Sequence, residues 1–243
     1  MVKLIIAQPL SSNRLEYDAI VPVKETEYQR YFVDAKVFVE QKPLVGSSNG
    51  NLFQAFGQSV RFGVRTLRDR GQAFWGASTG YDSLWLQGVY FQQAGAAFEY
   101  NTQSYQLVLT AGLPFSSSVD QLSGHAPLAS VNAQLSLPTG APGLSVQPRI
   151  YVVGSQSTGS AIGGQLQFTY SWDRTWSATL ASSYDALTGA SGSLTFQVLL
   201  PQRSGAVAST MIDPDLVNSF AGAVGNNGSR VIRLDNVPAA SGN

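Results

Sequence analysis

The sequence predicts an all-β fold, an antiparallel up-and-down transmembrane β-barrel of about 10–12 strands with a short C-terminal tail. Two observations predict it. Large apolar residues recur at every second position in many short stretches, which is the period of a strand with one apolar and one polar face. Charged residues form only 12% of the 243-residue chain, about half of the roughly 25% found in an ordinary soluble domain.

The shortage of charge is concentrated in the second half of the chain. Residues 131–200 contain four charged residues, whereas residues 1–70 contain seventeen. A soluble stretch of 70 residues would carry about 17. A barrel in lipid tolerates this shortage, because its outer face is apolar and its lumen can be lined by neutral polar groups.

Ten stretches show the strand pattern, and clusters of Gly, Ser, Asn, Asp and Pro separate them. They cover residues 28–40, 55–68, 72–82, 88–101, 104–115, 128–138, 145–156, 161–172, 175–185 and 192–201. Most are close to the roughly 9–11 residues that cross a bilayer as a tilted strand. The pattern therefore favours a barrel domain over residues 27–201.

Alternation assigns side chains to the two faces of this barrel. The predicted lumen-facing residues are Arg61, Arg65, Glu99, Gln165 and Gln167. The predicted lipid-facing residues are Val60, Phe62, Val64, Leu107, Leu109, Leu135, Leu166, Phe168 and Tyr170. Aromatic residues near strand ends, Tyr81, Tyr90, Trp172, Trp176 and Tyr184, are expected to form an interfacial girdle. Arginines in the lumen would attract anions or pair with acidic residues such as Glu99.

The two ends of the chain are predicted to lie outside the barrel. Residues 1–26 are interpreted as an N-terminal extension, although LEYDAIVPV (15–23) could add a strand. The N-terminal apolar patch is shorter than the roughly 7–15 residues of a signal-peptide core, so no complete signal peptide is expected. Residues 202–243 are interpreted as a tail with a helix capped by Asp213 and Pro214 and one strand over RVIRLDNV (230–237).

The sequence gives no support for most catalytic or cofactor chemistries. The chain has no net charge and no cysteine, which argues against nucleic acid as a partner and against disulfides or Cys-based metal sites. The single histidine, His125, lies in a predicted loop without a second ligand. Asp82 and Asp185 each follow a tyrosine and could in principle pair as catalytic carboxylates, and IDPD (212–215) could bind a cation. Turn formation and helix capping explain these residues more simply, so neither an enzyme nor a cofactor is expected.

Several stretches resemble a known family. They are NLFQAFGQSVRFGVRTL (51–67), WGASTGYDS (75–83) and YFQQAGAAFEYNTQSYQLVLTAGLPF (90–115). They resemble the inverse autotransporter β-domain of intimin- and invasin-like proteins, in its divergent cyanobacterial-type form. The motif positions are Gly76/Tyr81/Asp82, Gly95/Glu99/Tyr100 and Gly112/Leu113/Pro114, with an echo at ASSYDAL (181–187).

The resemblance implies a barrel, usually of twelve strands, in the cell outer membrane. It implies insertion by the barrel-assembly machinery, contact with outer-membrane lipid, and transfer of a C-terminal passenger to the cell surface for adhesion to a cell-surface or extracellular ligand. The chain departs from the family in having ten predicted strands and a tail of only about 40 residues. Two alternatives therefore stay open: a small passive outer-membrane pore, and a soluble β-barrel that binds a small ligand or carbohydrate.

Overall fold

The computed structural model describes residues 2–9, 13–41, 55–86, 89–115, 126–155, 159–172, 175–187, 189–200 and 231–232. The strands are β1 Val2–Pro9, β2 Asn13–Glu25, β3 Gln29–Gln41, β4 Ala55–Arg68, β5 Ala73–Leu86, β6 Val89–Thr102, β7 Gln106–Pro114, β8 Ala126–Pro127, β9 Ala129–Pro138, β10 Leu144–Ser155, β11 Gly159–Ser171, β12 Trp176–Asp185, β13 Gly189–Leu200 and β14 Val231–Ile232. No helix in these ranges is long and apolar enough to span a bilayer.

Twelve strands form a closed antiparallel barrel in the order β1-β13-β12-β11-β10-β9-β7-β6-β5-β4-β3-β2. Successive strands of the barrel pair with each other, and the one distant pairing within the barrel joins β1 to β13. β1 pairs with β2 on one side and with β13 on the other, where Val2 lies opposite Leu200. Closure removes the free sheet edges. The predicted up-and-down β-barrel is therefore confirmed.

The predicted domain boundary at residue 27 is corrected. β1 and β2 occupy most of the segment interpreted as an N-terminal extension, and both belong to the barrel sheet. The ten predicted strands correspond to β3–β7 and β9–β13, so these two strands raise the count to twelve. Of the predicted tail, Val231–Ile232 pairs with β8 in a separate two-stranded sheet, while the predicted helix at 213–225 lies outside the described residues.

The barrel has two different mouths. The terminal mouth is the end at which β1 begins and β13 ends, and its turns contain three to five residues. One of them, PTGAPG (138–143), uses the Thr139 hydroxyl to donate to the Leu144 carbonyl oxygen at 3.1 Å and has glycines at positive φ at 140 and 143. The distal mouth is the opposite end and includes the longest connections, residues 42–54 and 115–128.

The outer surface of the barrel is apolar between two aromatic bands. Exposed mid-strand residues include Phe62, Ile162 and Leu180, at 60%, 73% and 59% exposure. Exposed aromatics near the terminal mouth are Tyr28, Tyr31, Tyr105, Tyr170, Trp172 and Trp176, and those near the distal mouth are Phe56, Tyr81, Trp85, Tyr90, Phe115 and Tyr184. An apolar band between aromatic girdles is the exterior of an outer-membrane barrel.

The closure between β1 and β13 gives a direct test. Cysteine pairs at Ala7/Thr195 and Ile6/Phe196, which are register partners, sample both kinds of antiparallel pair. At least one pair should form a disulfide on mild oxidation and should preserve the barrel's altered gel mobility without boiling. The control pair Ala7→Cys/Ser191→Cys is displaced by four residues, about 13 Å along the strand. Equal crosslinking in the matched and displaced pairs would contradict the register.

Candidate functional site: the barrel lumen

The lumen has a wall rich in charge, formed by β2–β6. Its charged side chains are Glu16, Asp18, Arg30, Asp34, Lys36, Arg61, Arg65, Asp82 and Glu99. All of these side chains are buried. In the same strands, the residues between them are mostly exposed, as the period of two predicts. We call this surface the charged wall. Because its side chains alternate with exposed apolar ones, they point away from the outer face and toward the barrel interior.

The Arg65–Glu99 pair is the most deeply buried contact of the charged wall. Arg65 Nε donates to Glu99 Oε1 at 2.6 Å, and a second guanidinium nitrogen donates to Oε2 at 3.2 Å. The side chains are 0% and 2% exposed. The guanidinium carbon also lies 4.9 Å from the Phe32 ring centroid and 5.6 Å from that of Phe74. Bidentate pairing with a carboxylate and stacking on aromatic rings suit arginine rather than lysine.

Gly76, which lies between Arg65 and Glu99, lets these two side chains meet. Arg65 lies opposite Gly76 on β5, and Gly76 lies opposite Glu99 on β6. A Cβ at Gly76 would come 2.5 Å from Glu99 Oε1 and 3.0 Å from Arg65 Cγ. The missing side chain therefore leaves the space in which residues two strands apart touch. Gly63 likewise leaves space for the Phe32 ring, because a Cβ at position 63 would overlap that ring.

Other ion pairs continue the charged wall toward the distal mouth. Arg61 lies 3.5 Å from Asp82, with the carboxylate 1% exposed. Lys36 Nζ lies 3.3 Å from Glu16 and 3.8 Å from Asp18. Desolvated charges of this kind are tolerated because each has a close partner of opposite sign. These ion pairs make the wall a paired network rather than a free positive patch. Asp34 differs from the others, because its side chain lies beside another carboxylate, that of Asp18.

The opposite wall, formed by β9–β13, is almost free of charge. Its lumen-facing residues include Gln134, Ser145, Gln147, Gln165, Gln167, Thr169, Ser177, Thr179, Ser183 and Ser193, which are half-buried. We call this surface the neutral wall. Gln134 Nε2 donates to Gln147 Oε1 at 3.1 Å, Gln147 Nε2 donates to Thr169 Oγ1 at 3.4 Å, and Thr169 and Thr179 hydroxyls lie 2.8 Å apart. These bonds run across four neighbouring strands.

Two charged residues, Arg149 and Asp185, interrupt the neutral wall, and both have partners. Arg149 donates to Gln134 Oε1 from Nε at 3.0 Å. The Tyr151 hydroxyl donates to Asp185 Oδ2 at 2.8 Å across Gly163, whose missing Cβ makes room for the tyrosine ring. The Asp185 Oδ1 atom accepts from the Leu187 amide at 2.9 Å. The Tyr151–Gly163–Asp185 row thus repeats the arrangement of the Arg65–Gly76–Glu99 row.

The residues predicted to face the lumen and those predicted to face lipid differ in burial. Arg61, Arg65 and Glu99 are buried and Gln165 and Gln167 half-buried. Of the residues expected to face lipid, Val60, Phe62, Leu109, Leu166, Phe168 and Tyr170 are exposed, and Val64, Leu107 and Leu135 are half-buried. The five girdle residues are all exposed. Arg65 pairs with Glu99, whereas Arg61 pairs with Asp82.

Sequence reasoning missed the part of the charged wall that comes from β2. Glu16 and Asp18 alternate with Leu15 and Tyr17, which are exposed, and this period of two was a usable signal. Asp82 and Asp185 do not meet as a carboxylate pair, because each bonds to a different partner. Within the described ranges no three His, Asp or Glu residues are placed to hold a metal ion, and His125 and IDPD (212–215) lie outside those ranges.

The Arg65–Glu99 pair predicts a strong loss of stability when only one partner is changed. Removing one member of a buried pair costs about 3–5 kcal/mol, because it leaves an uncompensated charge. Arg65→Met and Glu99→Gln should each lower the free energy of unfolding by roughly this amount. The double variant should lose less than the sum of the two. Urea unfolding in detergent or liposomes measures all three, and simple additivity would contradict a direct pairing.

The close packing around Gly76 predicts that an added side chain lowers the stability of the barrel. Gly76→Ala should destabilise the barrel by about 1–3 kcal/mol, because overpacking forces the Arg65 and Glu99 side chains to move. Gly164→Ala is the matched control, since the nearest atom to its added Cβ is a carbonyl oxygen at 4.0 Å. The same unfolding measurement compares them. Equal stability of the two variants would show that the space at Gly76 is not needed.

Comparisons with known proteins establish the fold class. No family model matches the chain. No curated protein matches it by sequence. Among solved structures, a membrane protein from a study of in-meso crystallization has a TM-score of 0.67 at 12% identity, covering 97% of this chain and 96% of its own. KdgM porin has a TM-score of 0.55 at 8% identity, covering 82% and 99%. Outer membrane phospholipase A from Escherichia coli has a TM-score of 0.53 at 8% identity, covering 83% and 92%.

These identities show a shared fold and carry no activity to this chain. The neighbours named here include two outer-membrane β-barrel proteins. Together with the apolar exterior and the two aromatic bands of the chain itself, this fold makes the protein an outer-membrane β-barrel.

Proposed function

We propose that this outer-membrane barrel is a non-enzymatic anchor that carries its own C-terminal segment through the lumen to the cell surface, as an inverse autotransporter-like translocator. The observation that supports this function is the position of β14. β13 ends at the terminal mouth, where Leu200 lies opposite Val2. Val231 and Ile232 pair with Pro127 and Ala126 of β8, directly before β9 begins at the distal mouth.

The chain therefore reaches opposite ends of the barrel at residues 200 and 231. A route outside the barrel would place irregular backbone in lipid, where unsatisfied peptide groups cost several kcal/mol each. A route through the lumen avoids this cost. Thirty residues span up to about 100 Å when extended, which is far more than the roughly 40 Å length of a 12-residue strand.

Loop lengths give the orientation of this proposed path. Outer-membrane barrels have short periplasmic turns and longer extracellular loops. The terminal mouth has turns of three to five residues, whereas the long connections 42–54 and 115–128 lie at the distal mouth. We therefore assign the terminal mouth to the periplasm and the distal mouth to the cell surface. Val231 and Ile232 would then lie on the side where they can contact a cell-surface or extracellular ligand.

The motif residues of the family resemblance have physical roles in the lumen that fit this proposal. Gly76 leaves the space for the Arg65–Glu99 pair, and Glu99 itself belongs to the second motif. Asp82 pairs with Arg61. The motifs therefore describe how one wall of the barrel is packed. On this proposal, the barrel-assembly machinery inserts the protein, as it does other barrels of this membrane.

A small passive pore is the second candidate. The observation that favours it is the half-buried neutral wall, which leaves polar side chains open to the lumen. An unobstructed neutral wall would pass small uncharged polar solutes, whereas a lumen that holds the C-terminal segment would pass few.

Surface labelling distinguishes these candidates. The chain has no cysteine, so Ile232→Cys introduces a single thiol. In intact cells that export the protein behind a supplied signal peptide, a membrane-impermeant maleimide should label this thiol without permeabilisation. Ala141→Cys, in an exposed turn of the terminal mouth, should react only after permeabilisation. Both thiols should react in the denatured protein.

Two results would contradict the translocator. Labelling of Ile232→Cys only after permeabilisation would place the tail in the periplasm. High, steady conductance of the unmodified protein in planar bilayers would favour the pore, because a filled lumen passes little current.

A further inference from the structure

We propose that a row of uncharged polar side chains on the outer face of the barrel binds the sugar and amide groups of an outer-leaflet glycolipid. The row consists of Gln58 on β4, Ser83 on β5 and Gln92 on β6, and we call it the polar row. This inference goes beyond the proposed function, and it rests on that function only for the orientation that places the distal mouth at the cell surface.

The polar row faces away from the lumen. In the register of the sheet Gln58 lies opposite Ser83, and Ser83 lies opposite Gln92. Their neighbours along the strands, among them Asp82 and Phe91, are buried in the interior. Among the side chains that the structure describes, Gln58 and Gln92 are the glutamines that face outward within a strand rather than at its end. The polar row therefore interrupts a surface that is mainly apolar.

The three residues lie at one depth in the membrane. Each is the fourth residue from the distal end of its strand, which places it roughly 8 Å below that end in a strand tilted by about 40°. Strands of 14 residues rise about 35 Å at this tilt, whereas the apolar band of such barrels is about 25 Å tall. The polar row is thus within a few Å of the boundary between hydrocarbon and headgroups.

Tyrosine hydroxyls join the polar row into one hydrogen-bonding patch. The Tyr81 and Tyr90 hydroxyls lie 3.2 Å apart, and the side chains of Gln58 and Ser83 lie beside the Tyr90 hydroxyl. Ser83 is only 4% exposed, whereas Gln58 is exposed. The patch therefore has a covered centre and an open edge, at which the Gln58 amide presents its donors and its acceptor to the membrane.

An open amide at this depth needs a partner from the membrane. A polar group in hydrocarbon costs free energy unless it is hydrogen-bonded, and the headgroups at this boundary are the nearest lipid groups that can bond to it. Sugar hydroxyls and amides donate and accept hydrogen bonds, as glutamine and tyrosine side chains do. The patch and the sugar portion of a glycolipid are therefore complementary.

The absence of charge separates a sugar from a phosphate. Phosphate recognition uses arginine or lysine. Among the described residues of β4–β6, no charged side chain faces outward in the half nearer the distal mouth. The patch therefore favours the uncharged part of a headgroup.

An aromatic row lies directly above the polar row, toward the cell surface. Phe56 lies opposite Trp85, and Trp85 lies opposite Tyr90. All three side chains are exposed. Aromatic rings at this level combine an apolar face with, in tryptophan and tyrosine, a polar group at the edge. Such rings can pack against the apolar face of a sugar while the amides below bond to its polar groups.

Lipid binding to the purified full-length protein in detergent tests the proposal. The probes are dephosphorylated lipid A, an uncharged disaccharide with amide-linked acyl chains, and phosphatidylglycerol, which carries a phosphate. Native mass spectrometry over a titration gives the fraction of protein that holds each lipid. Dephosphorylated lipid A should bind at the lower concentration. The Gln58→Leu/Gln92→Leu variant should need about tenfold more of it for half-saturation, the effect of losing roughly two hydrogen bonds.

Ser182→Leu is the matched control, because Ser182 is an exposed outward residue on β12, opposite Leu166. It adds leucine to the lipid face away from the polar row and should leave binding unchanged. Leucine suits a lipid-facing position, so both variants should fold, and altered gel mobility without boiling checks this.

Three results would overturn the glycolipid site. The first is unchanged binding in the glutamine variant, or an equal loss in the control. The second is tighter binding of phosphatidylglycerol than of dephosphorylated lipid A. The third is a dimer of the unmodified protein that the glutamine variant cannot form, because the polar row would then contact a second copy of the chain.

The labelling experiment distinguishes failure of this inference from failure of the proposed function. An Ile232→Cys thiol that reacts only after permeabilisation would overturn the translocator and leave the polar row in the outer leaflet. An Ala141→Cys thiol that reacts in intact cells would reverse the barrel's orientation and overturn both proposals.

Discussion

A closed sheet in lipid leaves one place for charge, the inside of the barrel, and most of this structure follows from that constraint. The strands alternate by two, so a charged residue that faces inward places its two neighbours on the outer surface. Nine charged side chains of β2–β6 face inward and are buried. Burial on this scale is costly unless charges are paired, and eight of these nine side chains have an ion-pair partner.

Glycine makes those pairs geometrically feasible. Side chains directly opposite each other on neighbouring strands meet readily, but residues two strands apart are separated by the strand between them. Gly76 removes the side chain that would stand between Arg65 and Glu99, and Gly163 does so between Tyr151 and Asp185. The glycines of the sequence motifs are therefore part of the electrostatics, since they decide which partners can touch.

The local sequence pattern was sufficient to predict the strands whose two faces differ clearly in polarity. All ten alternating stretches correspond to observed strands. Arg61, Arg65 and Glu99, which alternation assigned to the lumen, are buried. β1 was missed because its apolar run, LIIA, does not alternate. Its place in the barrel depends on pairing between Val2 and Leu200, which no local pattern reports. The pairing of Arg61 with Asp82 likewise needed the register of β4 and β5.

The pairing of β1 with β13 has a consequence for how the barrel forms. Every other strand pair of the barrel joins segments that are close in sequence, so their loops close at little entropic cost. The seam between β1 and β13 instead joins the first and last strands of the barrel, about 200 residues apart in sequence, so closing this loop has the largest entropic cost. Within the barrel the seam is the pairing of highest sequence separation, the kind that slows folding most, so we expect it to be the last pairing to form. Until the seam closes, the polypeptide is an open sheet with two unsatisfied edges, and any chain that is to end inside the lumen can enter from the side.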